Sequence, residues 1–260
     1  GNRVAPVHVD RICAQLSESV SFSLSEPTDS QIDTTEQKHR LLTEYQQKII
    51  TLEEQTQKKI KSLYKHNIFN CALPPYSVLS EDLFSQKTWR MLGLTPKQTA
   101  ILGGLSGAAV GAGIDIAALG HGLGLITTLG TITGALGAVA GGSMMKARAS
   151  ILGITVAGPE LQVGPAKNIS LLFVLLNRVL LFYRHTINWA HGRRDYQNID
   201  HAVNDPDLSG FTGKWPASNL KKCHAYFRSA SKIDSSSGNE AWKEFEKMLF
   251  KEMMKIAEAG

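Results

Sequence analysis

The sequence predicts a mainly α-helical bundle with a central glycine-zipper helical hairpin, plus one small β-hairpin near 151–163. Three observations predict it. Residues 99–142 hold 13 of the chain's 23 glycines, and Asp115 and His121 are their only ionisable side chains. Residues 168–190 form an apolar run of helical length, and much of the remaining chain shows three- and four-residue apolar spacing. The clearest strand signal is Ile151, Ile154 and Val156, a Gly158-Pro159 turn, then Leu161 and Val163.

Taken in order, residues 4–24 place Val9, Ile12, Leu16 and Val20 on one helical face, and the Pro/Ser/Thr/Asp-rich run 25–35 reads as a linker. A long polar helix is expected over 35–66. Its stripe is Leu42, Tyr45, Ile49, Leu52, Thr56 and Leu63, with Ile60 beside it, suited to a coiled-coil-like arm or to a helix laid along a neighbour. Lys58, Lys59, Lys61 and Lys65 favour the dipole at its C-terminal end, or else form an anion-binding stripe. Ser80 followed by Glu81 and Asp82 gives a capping signal, and Thr95-Pro96 starts the zipper hairpin, 97–145. In that hairpin Gly103, Gly107 and Gly111 repeat every fourth residue. Beyond Gly120-His121-Gly122, the row Gly130, Gly134, Ala138 and Gly142 repeats the spacing, which brings helix backbones close. The buried helix 168–190 follows the β-hairpin. A short helix near 217–231 and a C-terminal amphipathic helix with Trp242, Phe245, Leu249, Met253 and Ile256 on one face close the chain. The expected organisation is therefore a short helix and linker (1–34) at a junction to an upstream domain, a helical core (35–195) and a tail (196–260).

With 260 residues the chain can bury a sizeable core, and its net charge of +5 suits an anionic membrane surface, an acidic protein or RNA without choosing among them. Cys13, Cys71 and Cys223 are isolated and odd in number, which argues for a reducing compartment and against a disulfide framework or zinc site. No signal-peptide pattern opens the chain, and the abrupt start at Gly1-Asn2-Arg3 is expected of a piece cut from a longer protein.

The zipper has two readings. Each half spans about 20 residues, or roughly 30 Å of helix, which matches a bilayer's hydrocarbon core. Arg90 and Lys97 before it and Lys146 and Arg148 after it would keep both ends cytoplasmic. Against this, a charge at Asp115 costs about 2.5–3.5 kcal/mol near mid-bilayer and less toward the interface. Glycine supplies almost no apolar area. The other reading buries the hairpin in a bundle jacketed by 168–190 and 240–259, with Asp115 as a satisfied buried carboxylate paired with His121 or a nearby arginine.

A search for chemistry finds no catalytic, metal or cofactor-binding set. Gly210-Phe211-Thr212-Gly213-Lys214 lacks the spacing and hydroxyl of a P-loop, and no GxSxG, HExxH, zinc or EF-hand spacing occurs. The densest polar group is Arg178, Arg184, His191, Arg193 and Arg194, with Asn177, His185 and Asp195. It is a candidate site for phosphate or a partner's carboxylates, or simply a cationic helix end. Trp189 and Tyr196 are too few to make a nucleic-acid signal.

Three stretches in combination carry a resemblance: EDLFSQKTWRMLGLTPKQTAILGGLSGAAVGAGIDIAALGHGLGL (81–125), GPELQVGPAKN (158–168) and FVLLNRVLLFYRHTINWAHGRRD (173–195). Together they resemble a bacterial domain of unknown function that follows an Era/TrmE-like P-loop GTPase domain. The likeness covers roughly 35–195. It departs at Asn177, where the family usually has an acid before the arginine. The resemblance implies a G domain in cis, which would bring GTP and Mg²⁺, and a bacterial cytoplasmic setting at or near the inner membrane. It transfers no catalytic residue. The expected function is a non-catalytic effector or membrane-association domain that couples nucleotide state to a membrane or protein partner. The alternative is a soluble scaffold that binds a protein partner, or a second copy of itself, through the 35–66 helix, with the zipper wholly buried.

Overall fold

The structure is a computed structural model that describes residues 4–27, 34–62, 73, 77–105, 155–157, 160–190, 210–230 and 239–259. The fold is mostly helical with one small antiparallel sheet. Helix α1 runs over Val4–Ser21, α2 over Thr34–Ser62, α3 over Gln86–Leu92 and α4 over Pro96–Leu105. After the strands come α5 (Ser170–Ala190), α6 (Ala217–Ala230) and α7 (Glu240–Ala259).

Each long helix forms where a single apolar face recurs at helical spacing. On α1 the buried residues are Val9, Ile12, Cys13, Leu16 and Val20, and on α2 they are Leu41, Leu42, Tyr45, Ile49, Leu52, Thr56 and Ile60. The α2 stripe is thus laid along neighbours in its own chain, packing on α1 and α5. Leu63, its expected last member, lies outside the described residues. Helix α5 differs from the others in being buried nearly all round, from Leu171 to Leu180 without interruption. Among the described residues it is the helix long and apolar enough to cross a membrane, yet 83% of that window is buried inside the fold. Its neighbours are α1, α2, α3 and α7, and α7 also covers α1 and α6. The residues assigned to a 1–34 segment and a 196–260 tail therefore bury their apolar faces in the same core as α2 and α5.

Pairwise contacts set the helix directions. Glu53 meets Arg178 and Lys61 lies over the Phe182 ring, so α2 and α5 run parallel. Lys48 faces Glu18 and Tyr45 packs on Phe22, so α1 runs against α2.

The β-hairpin forms as the Gly-Pro turn suggests, with β2 (Thr155–Ala157) antiparallel to β3 (Glu160–Val163) and Val156 opposite Leu161. Residues 151–154 lie outside the described residues. A third strand joins it. Residues Leu24–Pro27, inside the expected linker, form β1 and pair antiparallel with β3, which places β3 at the centre. Ser25-Glu26-Pro27 carries no strand preference of its own. Pairing holds it, together with Gln37 donating to the Pro27 carbonyl (2.7 Å) and Arg40 to Glu26 (2.7 Å). At the exit of β3, Gly164 has φ +83°, and a side chain there would strike the Phe22 carbonyl and the Tyr45 ring.

Helix starts also sharpen the sequence reading. Ser80 is the last residue of a 3-10 turn (Val78–Ser80) capped by Ser77, and α3 is capped instead by Ser85, whose hydroxyl accepts from Thr88 N (3.1 Å). Asp82 is otherwise engaged, accepting from Phe84 N at 2.7 Å. Thr95 caps α4 as expected. Its hydroxyl accepts from Gln98 N (3.3 Å) while Gln98 Oε1 accepts from Thr95 N (2.8 Å), a reciprocal capping box.

Candidate functional site

The candidate polar cluster begins on α5, where Asn177 and Arg178 interrupt an apolar helix. A charge this deep is tolerated only with a partner. Arg178 Nε donates to Glu53 Oε1 on α2 at 2.7 Å, with side-chain exposures of 5% and 7%. Its Nη1 donates to the carbonyls of Val78 and Glu81 (3.1 Å each) and Nη2 to that of Leu79 (3.3 Å). The guanidinium fork is thus spent on one carboxylate and three carbonyls of a 3-10 turn. It is a clasp that holds residues 78–81 against α5, so Arg178 is not presented to an external anion.

Asn177 makes a second clasp. Its Nδ2 donates to the Leu92 carbonyl at the end of α3 (2.7 Å) and to Thr212 Oγ1 (3.0 Å), and its Oδ1 accepts from Thr212 N (3.0 Å). Gln98 on α4 donates to the Thr212 carbonyl (2.8 Å) and hydroxyl (3.3 Å). Thr212 belongs to a 3-10 turn, Phe211–Lys214, that begins at Gly210 with φ +58°. A Cβ at Gly210 would lie 2.5–2.7 Å from three Asn177 side-chain atoms, so glycine lets the turn reach the helix. The Gly-rich Gly210–Lys214 segment is therefore a plug docked on Asn177. Its hydrogen-bonding groups face Asn177 and Gln98.

Arg184 turns elsewhere, its guanidinium 5.1 Å from the Phe211 ring centroid. The Phe211 ring is not among the described partners of Arg178. His191, Arg193 and Arg194 lie outside the described residues, as do Asp115, His121, Gly107, Gly111, Gly130, Gly134 and Gly142. Gly103 is described: it is exposed on α4, and among the described residues a Cβ there would meet nothing within 4 Å.

Among the described residues, both cysteines and His8 are sequestered. Cys13 and Cys223 are buried free thiols whose pKa is pushed far up by burial. Burial, helped by the charge of Arg11, lowers the His8 imidazole to about 4, and its ring meets Tyr183 edge-on at 5.3 Å. Among the described residues, no group of three or more His, Cys, Asp or Glu side chains could hold a metal ion.

Glu53 and Gln98 escaped the sequence reading, and Gly210 and Thr212 entered it only within a segment rejected as a P-loop. Glu53 left a trace as an acid beside Leu52 on the apolar stripe. Gln98 left one as the last residue of a Thr-Pro-Lys-Gln capping pattern. Neither trace names a distant partner.

The family described as Domain of unknown function (DUF3482) matches residues 7–255. No curated protein and no solved structure matches the chain.

Proposed function

The chain belongs to the DUF3482 family, and on that premise we propose that it is a non-catalytic helical module of a bacterial P-loop GTPase, coupling nucleotide state to an anionic membrane surface through its glycine-rich stretch. One observation carries the reading most directly. The stretch is joined to the described core on one side through α4, whose Gln98 is bonded to Thr212, and on the other through β2, which is paired with β3. An apolar segment tied to a folded core at both ends suits a membrane-contacting element. The other apolar segment of spanning length, α5, is consumed by the core. Helix α5 and α7, the expected jackets of a buried hairpin, have described partners of their own.

The soluble-scaffold alternative has a smaller docking surface than its sequence suggested. Its 35–66 stripe, including Tyr45, Ile49 and Ile60, is buried within this chain, and Arg178 is spent on Glu53. A partner protein or second copy would be left with α2's polar outer face. The leading reading places the protein in the bacterial cytoplasm at the inner membrane.

The test is flotation of the full-length protein with phosphatidylglycerol-containing vesicles, with and without GTP. Co-flotation that persists at high salt is expected of an apolar contact. Failure to float under every nucleotide condition removes the membrane half. A gene that encodes no P-loop ahead of this domain removes the GTPase half.

A further inference from the structure

We infer that the outward face of the α6–α7 pair is a cationic contact surface for anionic lipid headgroups, with Lys221 and Arg228 on α6 and Lys243, Lys247 and Lys251 on α7 as its contacts. The inference rests on the membrane reading above and adds to it an electrostatic component that does not involve the glycine-rich stretch.

The face follows from how the two helices are joined. Helix α6 contains no acidic residue and exposes Lys221 and Arg228. Lysines recur on α7 at 243, 247 and 251, all exposed, and the four-residue step keeps them in one row with about 6 Å of rise between neighbours. That row lies opposite the buried face of Phe245, Leu249, Met253 and Ile256. Most acids of α7 are directed elsewhere. Glu244 accepts from Lys222 on α6 at 2.6 Å, and Glu252 accepts from Asn219 (3.3 Å) and Lys255 (2.8 Å). The Glu244 carboxyl is held below its usual range by Lys222 first and by Lys247 and Lys251 as well, so one acid answers three lysines. Glu246 is near enough to Cys13 on α1 to help push its thiol up, and Glu240 and Glu258 stand at the two ends of the helix. Carboxylates are thus drawn into the seam between the helices, and cations are left outside.

Both helices pack on α1, so their outer sides form one layer, and α6 is also the helix on which α4 packs. The cationic layer therefore neighbours the helix that leads into the glycine-rich stretch. The chemistry of the face selects its partner. Protein interfaces are depleted in lysine and centre on buried aromatic or arginine anchors. Single-stranded nucleic acid needs exposed rings for stacking, whereas Tyr226, Phe227 and Phe245 are buried and Trp242 packs on Tyr226. Flexible lysines without an anchor suit a diffuse negative surface, where many headgroups together hold each charge.

Binding of the full chain to vesicles of phosphatidylglycerol and phosphatidylcholine, titrated at low salt, tests the face. Lys247→Ala with Lys251→Ala is expected to weaken binding by about thirtyfold. Lys58→Ala with Lys59→Ala removes the same charge from exposed positions on α2 and is expected to change it less than about threefold. Lys247→Arg with Lys251→Arg should bind as the unmodified chain does. Equal weakening by the two alanine pairs, or none by either, would overturn the inference. So would tighter binding to a single-stranded RNA than to the vesicles, lost in the same α7 pair, since the face would then belong to nucleic acid. High salt separates the two membrane components. Binding that survives high salt and ignores the α7 pair keeps the membrane reading and loses this face. Binding that vanishes at high salt and in the α7 pair keeps the face and loses the apolar contact. An unmodified chain that binds no vesicle at any salt loses both.

Discussion

Two sides of α5 are held by different chemistry. Against α1 and the first half of α2 the contact is apolar, with Ile12, Leu16, Tyr45 and Ile49 fully buried. Against residues 78–92 and the 211–214 turn it is directional: Arg178, paired with Glu53 of α2, donates to three carbonyls, and Asn177 bonds Leu92 and Thr212. Apolar burial is strong but tolerant of small shifts, whereas hydrogen bonds at these separations fix one register. The difference teaches that α1, α2 and α5 set where the core is, and that two consecutive polar residues set how the α3–α4 shoulder sits on it.

The sharpest way to break the comparison is Glu53→Ala, which leaves Arg178 buried without its counter-charge. It is expected to cost about 3–5 kcal/mol in urea unfolding. The pair Glu53→Met with Arg178→Met is expected to recover part of that loss but not all, because the carbonyls of Val78, Leu79 and Glu81 lose their donor. A loss below about 1 kcal/mol in Glu53→Ala would mean the carbonyls alone hold the guanidinium. Gly210→Ala strikes the second clasp, forcing a side chain into Asn177 at positive φ. It should lower stability by about 2–3 kcal/mol. An unchanged melting temperature would show that the turn can withdraw from α5 freely.

The apolar side has a titratable exception in His8. Its pKa is 6.5 when unfolded and about 4 in the fold, so between these values the unfolded chain binds more protons. Stability should be complete above pH 6.5, fall by about 2–3 kcal/mol as pH drops to 4, and change little further through this residue. In His8→Phe that component of the pH slope should vanish. If the slope persists unchanged, other groups carry it. The smallest effect is expected from Thr95→Ala, which removes one half of the α4 capping box and should cost about 1 kcal/mol. Circular dichroism melts would show it as a modest shift, and no shift would mean Gln98 holds the helix start alone.

What the sequence disclosed follows the same division. Helices α1, α2, α5 and α7 announced themselves because apolar burial writes a 3.6-residue period along one segment. The α4 cap was legible because Thr95-Pro96 is a local code, and the β-hairpin because a Gly-Pro pair between two apolar runs is a turn signal. Strand β1 was not, since its pairing with β3 links residues more than a hundred positions apart. Ser80 misled because Glu81 and Asp82 imitate a helix start, while Asp82 closes a turn onto Phe84. The polar pair at 177–178 was visible as an interruption of α5. Its partners were not, because spacing within one helix says nothing about which acid lies across from it. Glu53 is 125 residues away.

The hydroxyl of Tyr226 donates to the Cys13 carbonyl at 2.6 Å, across 213 positions of chain, and α7 covers the same helix. During synthesis this face of α1 therefore waits for its cover. At translation speeds of 5–20 residues per second the delay is roughly 10–40 s, during which Val9, Ile12 and Leu16 are available to other surfaces. Helix α1 is completed by α6 and α7, so this core closes only after both have been made. Truncation ahead of α7 would then leave the apolar face of α1 uncovered.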